Sequence, residues 1–442
     1  MIDIAARVAS LPGPSLVAGA ITDDLCMGRG VVWVFPRPAP VGESVAEVLR
    51  RLSDASISTQ VVRLTCINGA GEGEKDDASA LDDTFQRVTG KAAPRELLDG
   101  RFAPIVVVVD ALDLGDKATR RAVEAGLMAT FQEWCAQSME DYRESGVFAG
   151  VVMLVRGTTL GQLVPQKDHI RTRWHWGTVT VAELCLLARE IAVDLGLGWE
   201  KSTWMQWVGS EVAGTDAGLL VYLCEYWDPA EGIEQLTDVL RRYAEEQGWT
   251  ADDFASVPRN LGEPFSPGRS RRPSCPPRHL AALYDAGMLD WEAERGLHIH
   301  SAALALAGDA REISHRVWAG QAGYLLPLFD RERLEICRRL NDEIKDWRAC
   351  CARVEDRSYS SLTIFNSKAD KTPAEGFPVM ELADMRQYLD RNSSGLTAAL
   401  FKRVDFLVKA RNCLAHYTPL SWENFSAALR WDRTAEEFAG KR

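Results

Sequence analysis

Two hydrophobic periods alternate along the first part of the chain. Val31-Val32-Trp33-Val34-Phe35 is an unbroken apolar run of strand length. Pro104-Ile105-Val106-Val107-Val108-Val109 and the stretch from Val147 to Val155 are two more. Short runs rich in β-branched residues predict strands covered on both faces. Gln60 to Cys66 reads as a further strand, while Val45 to Leu52 and Lys117 to Arg143 carry helical spacing. Strands alternating with helices predict a parallel α/β sheet. Residues 1 to about 30 are mixed, with Pro12, Gly13 and Pro14 as a break, and 67–80 form a Gly-rich acidic loop.

After Thr158 the pattern changes. A basic, Trp-bearing connection leads into a predicted helix from Val181 to Leu195. Its Arg171, Arg173, Trp174 and Trp176 suit either stacking on a base or a buried contact between domains. Helical spacing covers Gly218–Trp227 and Gly232–Gln247. Residues 256–278 are a Pro/Arg/Ser-rich linker with the strongest basic cluster, Arg269-Ser270-Arg271-Arg272-Pro273, which reads as a solvated flexible loop, with contact to RNA or a partner as the alternative. A helix from His279 to Leu289 follows, then a turn at Glu294-Arg295-Gly296. Leu297-His298-Ile299-His300 alternates as a strand. From about Arg311 the chain is helical: His315–Leu326, Arg331–Ala352, Met380–Leu389, Leu396–His416 and a piece starting at Trp422. A polar loop at 354–377 interrupts it.

Length and charge narrow the possibilities. A chain of 442 residues predicts two to four domains. A net charge of −12 argues against wrapping nucleic acid over the whole surface, so any RNA contact must use a local basic patch. The ten cysteines contain no C-x-x-C pair. Met1-Ile2-Asp3-Ile4 lacks a signal-peptide layout, and no apolar run is long enough to span a membrane. These features predict a cytoplasmic protein without membrane contact.

The candidate chemistry lies at the end of the Leu396–His416 helix. Leu396, Leu400, Val404, Leu407, Ala410 and Leu414 form its apolar stripe, and Pro419 stops it. Asn412 and His416 stand one turn apart on one face, with Arg411 about 100° round from Asn412. An arginine fork, an amide and a proton carrier that works near neutral pH can thus meet one phosphate. The plainer alternative is that Arg411 and His416 cap the last carbonyls and favour the negative end of the helix dipole.

Arg411-Asn412-x-x-x-His416 resembles the R-N-x-x-x-H motif of HEPN domains, over roughly the last quarter of the chain. These are small helical bundles, many of them metal-independent ribonucleases of bacterial toxin and antiphage systems. The resemblance implies no metal and no cofactor. His416 would act as general acid or base, Arg411 would stabilise phosphate charge and Asn412 would orient it. Two motifs would combine across a homo-oligomer.

The first part of the chain resembles a P-loop NTPase of the AAA or STAND type. A strand, loop and helix occupy the Walker A place, and the strand ending in Asp110 occupies the Walker B place. The Walker A stretch has degenerated to Arg37-x-x-x-x-Gly42-Glu43-Ser44. Gly42 and Ser44 match, but Glu43 replaces the lysine that reaches the β/γ phosphates. At about 4 Å and an effective dielectric of about 20, a unit attraction of roughly 4 kcal/mol becomes a repulsion. Pro38 and Pro40 also lack N–H donors. Asp110 and Asp113 suit either Mg²⁺ or capping of the next helix. The helix and hairpin at 279–300 resemble the winged helix that follows the ATPase core in STAND proteins.

The expected organisation is an α/β P-loop NTPase-like domain at 1–165, a helical lid at 166–255 and a linker at 256–278. A winged-helix-like domain at 279–310 and an all-α HEPN-like bundle at 311–442 follow. The expected function is that of a bacterial defence protein: an inactive nucleotide-binding scaffold carrying a ribonuclease. Its partners would be a second copy, another defence protein and RNA. The alternative is a non-catalytic adaptor that binds and controls a partner effector.

Overall fold

The computed structural model describes residues 4–36, 39, 41–63, 105–111, 117–146, 149–157, 167–250, 275–292, 296–345, 347, 351, 379–392 and 395–439. Arg37, Asp113, the acidic loop at 67–80, the basic cluster Arg269–Pro273 and the polar stretch at 354–377 lie outside these residues. The chain divides into two compact units. One comprises Met1–Leu187, Ala213–Val221 and Leu240–Gly308. The other comprises Ala188–Val212, Tyr222–Val239 and Asp309–Arg442.

The first unit is built on a five-stranded parallel sheet. Its strands are β1 (Gly30–Phe35), β2 (Ser58–Arg63), β3 (Ile105–Ala111), β4 (Ala149–Arg156) and β5 (Ile170–Trp174), in the order β2-β3-β4-β1-β5. β1 pairs with β4 from Val31↔Val152 to Phe35↔Arg156, and β3 pairs with β4 from Ile105↔Ala149 to Ala111↔Val155. Val31 to Phe35 and Val106 to Val109 are buried throughout, as their continuous apolar runs require. Each such side chain contributes about 1.5–3 kcal/mol by leaving water.

Helices α1 (Ile4–Ser10), α2 (Pro12–Cys26), α3 (Val41–Asp54) and α4 (Lys117–Ser145) belong to this unit. α2 was not legible in the sequence, because Pro12-Gly13-Pro14 reads as a break. Proline is tolerated in a helix's first turn, where its missing N–H has no partner to lose. Glu183 supports that turn: one oxygen accepts the Gly13 N–H at 2.5 Å and the other accepts the Thr180 N–H at 2.8 Å. Ile21 and Leu25 of α2 join the sheet's core.

β5 is also a correction, since Arg171–Trp176 reads in sequence as a connection. Its side chains are occupied. Arg173 donates to the buried Asp24 carboxylate at 2.9 Å, and Arg29 holds the other Asp24 oxygen at 3.0 Å. Trp174 and Trp176 are buried with their rings edge-on to Tyr284, at 5.8 and 5.5 Å. Neither indole is available to a base.

A helix-and-hairpin segment completes this unit. α10 (Ala281–Ala286) leads into β6 (Leu289–Glu292), which pairs antiparallel with β7 (Gly296–Ile299) in the register Asp290↔His298. α11 (Ser301–Leu306) follows. In chain order, α5 (Val181–Asp194), α6 (Trp199–Trp204), a π-helical turn Met205–Gly209, α7 (Ser210–Ala213), α8 (Ala217–Tyr226) and α9 (Gly232–Glu246) come between β5 and α10, and of these α6 and the π-helical turn belong to the second unit.

The second unit is helical. α12 (Ala310–Glu343) runs through Pro327 as one helix, where the sequence predicts two. It packs with α14 (Gly395–Ala415) and α15 (Trp422–Ala439), and α13 (Leu382–Arg391) packs on α14. Arg403 of α14 is paired with the buried Glu332 of α12, and Arg386 of α13 meets Asp405 of α14 at 2.9 Å. Gly320 lets α12 approach the π-helical turn. A Cβ there would lie 2.6 Å from the Trp207 carbonyl oxygen and 2.7 Å from the Val208 Cα. Among the described residues no single helix is long and apolar enough to cross a membrane. α1 and α2 meet that measure only as a pair bent by 68°.

Candidate functional site

The apolar stripe of α14 fixes which way its last turn faces. Leu400, Val404, Leu407, Ala410 and Leu414 are buried, so the positions opposite Leu414 are turned to solvent. Asn412 and His416 lie there, Arg411 stands nearer the edge of the stripe at about 60° from Leu414, and all three are exposed. None of the three side chains makes a hydrogen bond or an ion pair among the described residues.

The carbonyls they would otherwise cap are already used. The His416 N–H donates to the Asn412 carbonyl at 3.0 Å and the Cys413 carbonyl at 3.1 Å. The Thr418 N–H reaches back to the Cys413 carbonyl at 2.9 Å, and the Tyr417 N–H to the Leu414 carbonyl at 3.2 Å. The Leu414 carbonyl also accepts the Trp318 indole N–H at 2.6 Å. The carbonyls of Asn412, Cys413 and Leu414 thus have donors other than the Arg411 and His416 side chains.

This helix end puts Tyr417 at φ +57°. Glycine is the usual residue at this position, because a Cβ in the left-handed region costs roughly 1–2 kcal/mol. Tyr417 is nevertheless 66% exposed, with its ring 4.6 Å from that of Trp318 and stacked at 6.2 Å on that of His315. Trp318 and His315, both on α12, escape sequence reasoning because they lie about a hundred residues before the motif. Periodicity shows only that they share a helix.

In the α/β unit, Gly42, Glu43 and Ser44 lie in the first turn of α3, directly after the loop that leaves β1. A carboxylate is favoured at that helix end, where Glu43 sits, and a phosphate placed beside it would be repelled. Asp110 stands at the end of β3, in register with Arg63 of β2 and Leu154 of β4.

A cavity of about 390 Å³ opens at the carboxyl edge of this sheet, where open α/β sheets take their ligands. Pro36 and Ala39, after β1, and His175, after β5, form part of its wall, whereas Gly42, Glu43 and Ser44 do not line it. Opposite them stands a polar cluster centred on Asp216. Its Oδ2 accepts the Tyr243 hydroxyl at 2.6 Å and contacts the His300 Nε2 at 3.1 Å, while Oδ1 accepts the Gly218 N–H at 2.7 Å. Burial raises the Asp216 pKa, but His300, the Tyr243 hydroxyl and the backbone together outweigh it and hold the carboxyl below its ordinary range. The His300 Nδ1 accepts the Ala302 N–H at 3.2 Å, which assigns the ring proton to Nε2. Both His300 nitrogens are therefore engaged, and the cluster braces the wall of the cavity.

His298 and His300 look in sequence like neighbours on one strand face. Both line the cavity, but His300 lies beyond the end of β7 and caps α11. Asp216 and Tyr243 could not be joined to them from sequence, since their separations are 84 and 57 residues. Among the described residues no group of three His, Cys, Asp or Glu side chains is placed to hold a metal ion. Neither a known protein-family model nor a curated protein matches this sequence.

Proposed function

We propose that the helical unit supplies half of a metal-independent endoribonuclease site, with Arg411, Asn412 and His416 as the residues that meet the scissile phosphate. One observation carries this reading. The three side chains are exposed and without partners among the described residues, while the carbonyls of Asn412, Cys413 and Leu414 are held by other donors. Those three carbonyls do not need the arginine or the histidine as a cap.

In the reaction the ribose 2′-oxygen forms a bond to phosphorus and the bond from phosphorus to the 5′-oxygen breaks. His416 removes the 2′-hydroxyl proton or donates one to the leaving 5′-oxygen. Arg411 stabilises the charge that grows on the phosphate, and Asn412 orients it. The products are a 2′,3′-cyclic phosphate and a free 5′-hydroxyl. Acid and base are needed together, so a second copy of the motif completes the site in a homo-oligomer. Incubating the purified full chain with single-stranded RNA and identifying cyclic-phosphate ends tests the reading. Intact RNA, or cutting that survives His416→Ala, overturns it.

The cavity at the sheet edge favours a second reading, in which the α/β unit is a ligand-holding scaffold resembling an inactive STAND-type core. The helix and hairpin at 281–299 would then be its winged-helix element. In that case the protein is an adaptor controlling a partner defence protein, and RNA cleavage is absent from the purified complex.

A further inference from the structure

We propose that Tyr417 is a stacking platform for a base of single-stranded RNA, seated on Trp318 and His315 beside the phosphate-facing residues Arg411 and His416. The choice of RNA over other ligands rests on the ribonuclease reading. The platform itself rests on separate observations.

The first is a conformational cost carried by an exposed side chain. Tyr417 occupies a left-handed position at a helix end that glycine fills without strain. Its contacts with Trp318 and His315 leave the side chain 66% exposed. The second is the way the ring is held from below. Trp318 is anchored by its indole N–H to the Leu414 carbonyl at 2.6 Å, and its ring lies 4.6 Å from that of Tyr417. His315 stacks on Tyr417 at an interplanar angle of 20°. A pre-positioned aromatic loses little freedom when a flat ligand lands on it. The third is the company it keeps. Tyr417 directly follows His416, and Arg411 lies on the same final turn of α14. An aromatic beside a cation is the pairing that single-stranded nucleic acid uses, one taking a base and the other the adjoining phosphate.

The test is binding by the full chain of a fluorescein-labelled, fully 2′-O-methylated 12-nucleotide RNA, which lacks the attacking hydroxyl. Fluorescence anisotropy reads affinity, and thermal unfolding is recorded in parallel. Tyr417→Gly should weaken binding by about 5- to 150-fold, the span for loss of one stacked base. Its melting temperature should hold or rise, because glycine relieves the left-handed backbone. Tyr417→Phe keeps the ring and should bind as the parent does. Tyr417→Leu, of similar bulk but without an aromatic face, should bind as weakly as the glycine variant. An oligonucleotide with abasic residues should bind weakly and no longer distinguish Tyr417 from glycine.

Unchanged binding by Tyr417→Gly or Tyr417→Leu overturns the proposal, as does a loss shared by Tyr417→Phe or the absence of RNA binding by the parent. A change in sedimentation instead of affinity would make the patch a contact between copies and overturn it equally. The ribonuclease reading fails separately. His416→Ala should reduce cutting of ribose-containing RNA by about 10²- to 10⁴-fold, and Tyr417-dependent binding by a parent chain that does not cut leaves the platform standing alone.

Discussion

The Trp318 indole N–H and the Leu414 carbonyl are joined at 2.6 Å, which ties the N-terminal third of α12 to the last turn of α14. Trp318→Phe keeps most of the ring but removes the donor. With the Tyr417 N–H still bonded to that oxygen, the expected cost is the net worth of one hydrogen bond, about 0.5–1.5 kcal/mol. Urea unfolding of the variant measures it. A midpoint equal to the parent's would mean that the bond does not anchor the helix end.

His416→Ala should reduce RNA cleavage by about 10²- to 10⁴-fold, the usual share of one general acid or base. Arg411→Ala should be comparably severe, at about 3–4 kcal/mol of lost charge stabilisation. Both residues are exposed, so both variants should unfold at the parent's denaturant midpoint. Cutting should continue in EDTA. Activity that disappears with the chelator would contradict the metal-independent chemistry.

Gly320→Ala should destabilise the helical unit by about 1–3 kcal/mol. The added methyl would meet the backbone of Trp207 and Val208 at 2.6–2.7 Å, and backbone cannot swing aside as a side chain can. Gly323→Ala, one turn away with no neighbour within 4 Å, is the control and should be neutral or stabilising. Equal effects from the two would refute close helix packing at Gly320.

On the reading of the α/β unit as an inactive STAND-type core, it should not turn over ATP, because Glu43, in the first turn of α3, would hold the place of the phosphate-contacting lysine. Steady-state phosphate release by the purified chain checks this. Turnover that Asp110→Ala abolishes would be the contrary result.

Acid should weaken this protein through carboxylates whose pKa is held down by folding. In Glu47, hydrogen bonding from Arg50 is the largest cause and, with Arg51, brings the carboxyl down to about 2. Asp216 is lowered as well, burial being outweighed by His300 and Tyr243. A lowered folded-state pKa means stability that is present above the ordinary carboxylate range and lost as pH falls through it, for Glu47 until about pH 2. Glu47→Gln should therefore flatten the dependence of the urea midpoint on pH below about 4.5. A slope matching the parent's would remove Glu47 from the account.

Local pattern determined the local elements. Continuous apolar runs specified β1, β3 and β4, since a strand buried on both faces has no polar side to alternate. The three- and four-residue steps of Leu400, Val404, Leu407 and Leu414 specified α14, and with it the shared outward face of Asn412 and His416. Where two local rules compete, sequence failed. Proline at positions 12 and 14 can open a helix as well as break one, and Pro327 is absorbed within α12. β5 is short and carries Arg171 and Arg173. Only the buried Asp24, about 150 residues earlier, shows why an arginine can sit on that edge strand. The surroundings of both candidate sites were likewise decided by tertiary structure. Tyr417 meets Trp318 and His315 across two helices, and Asp216 meets Tyr243 and His300 across three segments. Contacts between residues distant along the chain leave no period, because each is set by how elements pack and not by the residues beside it.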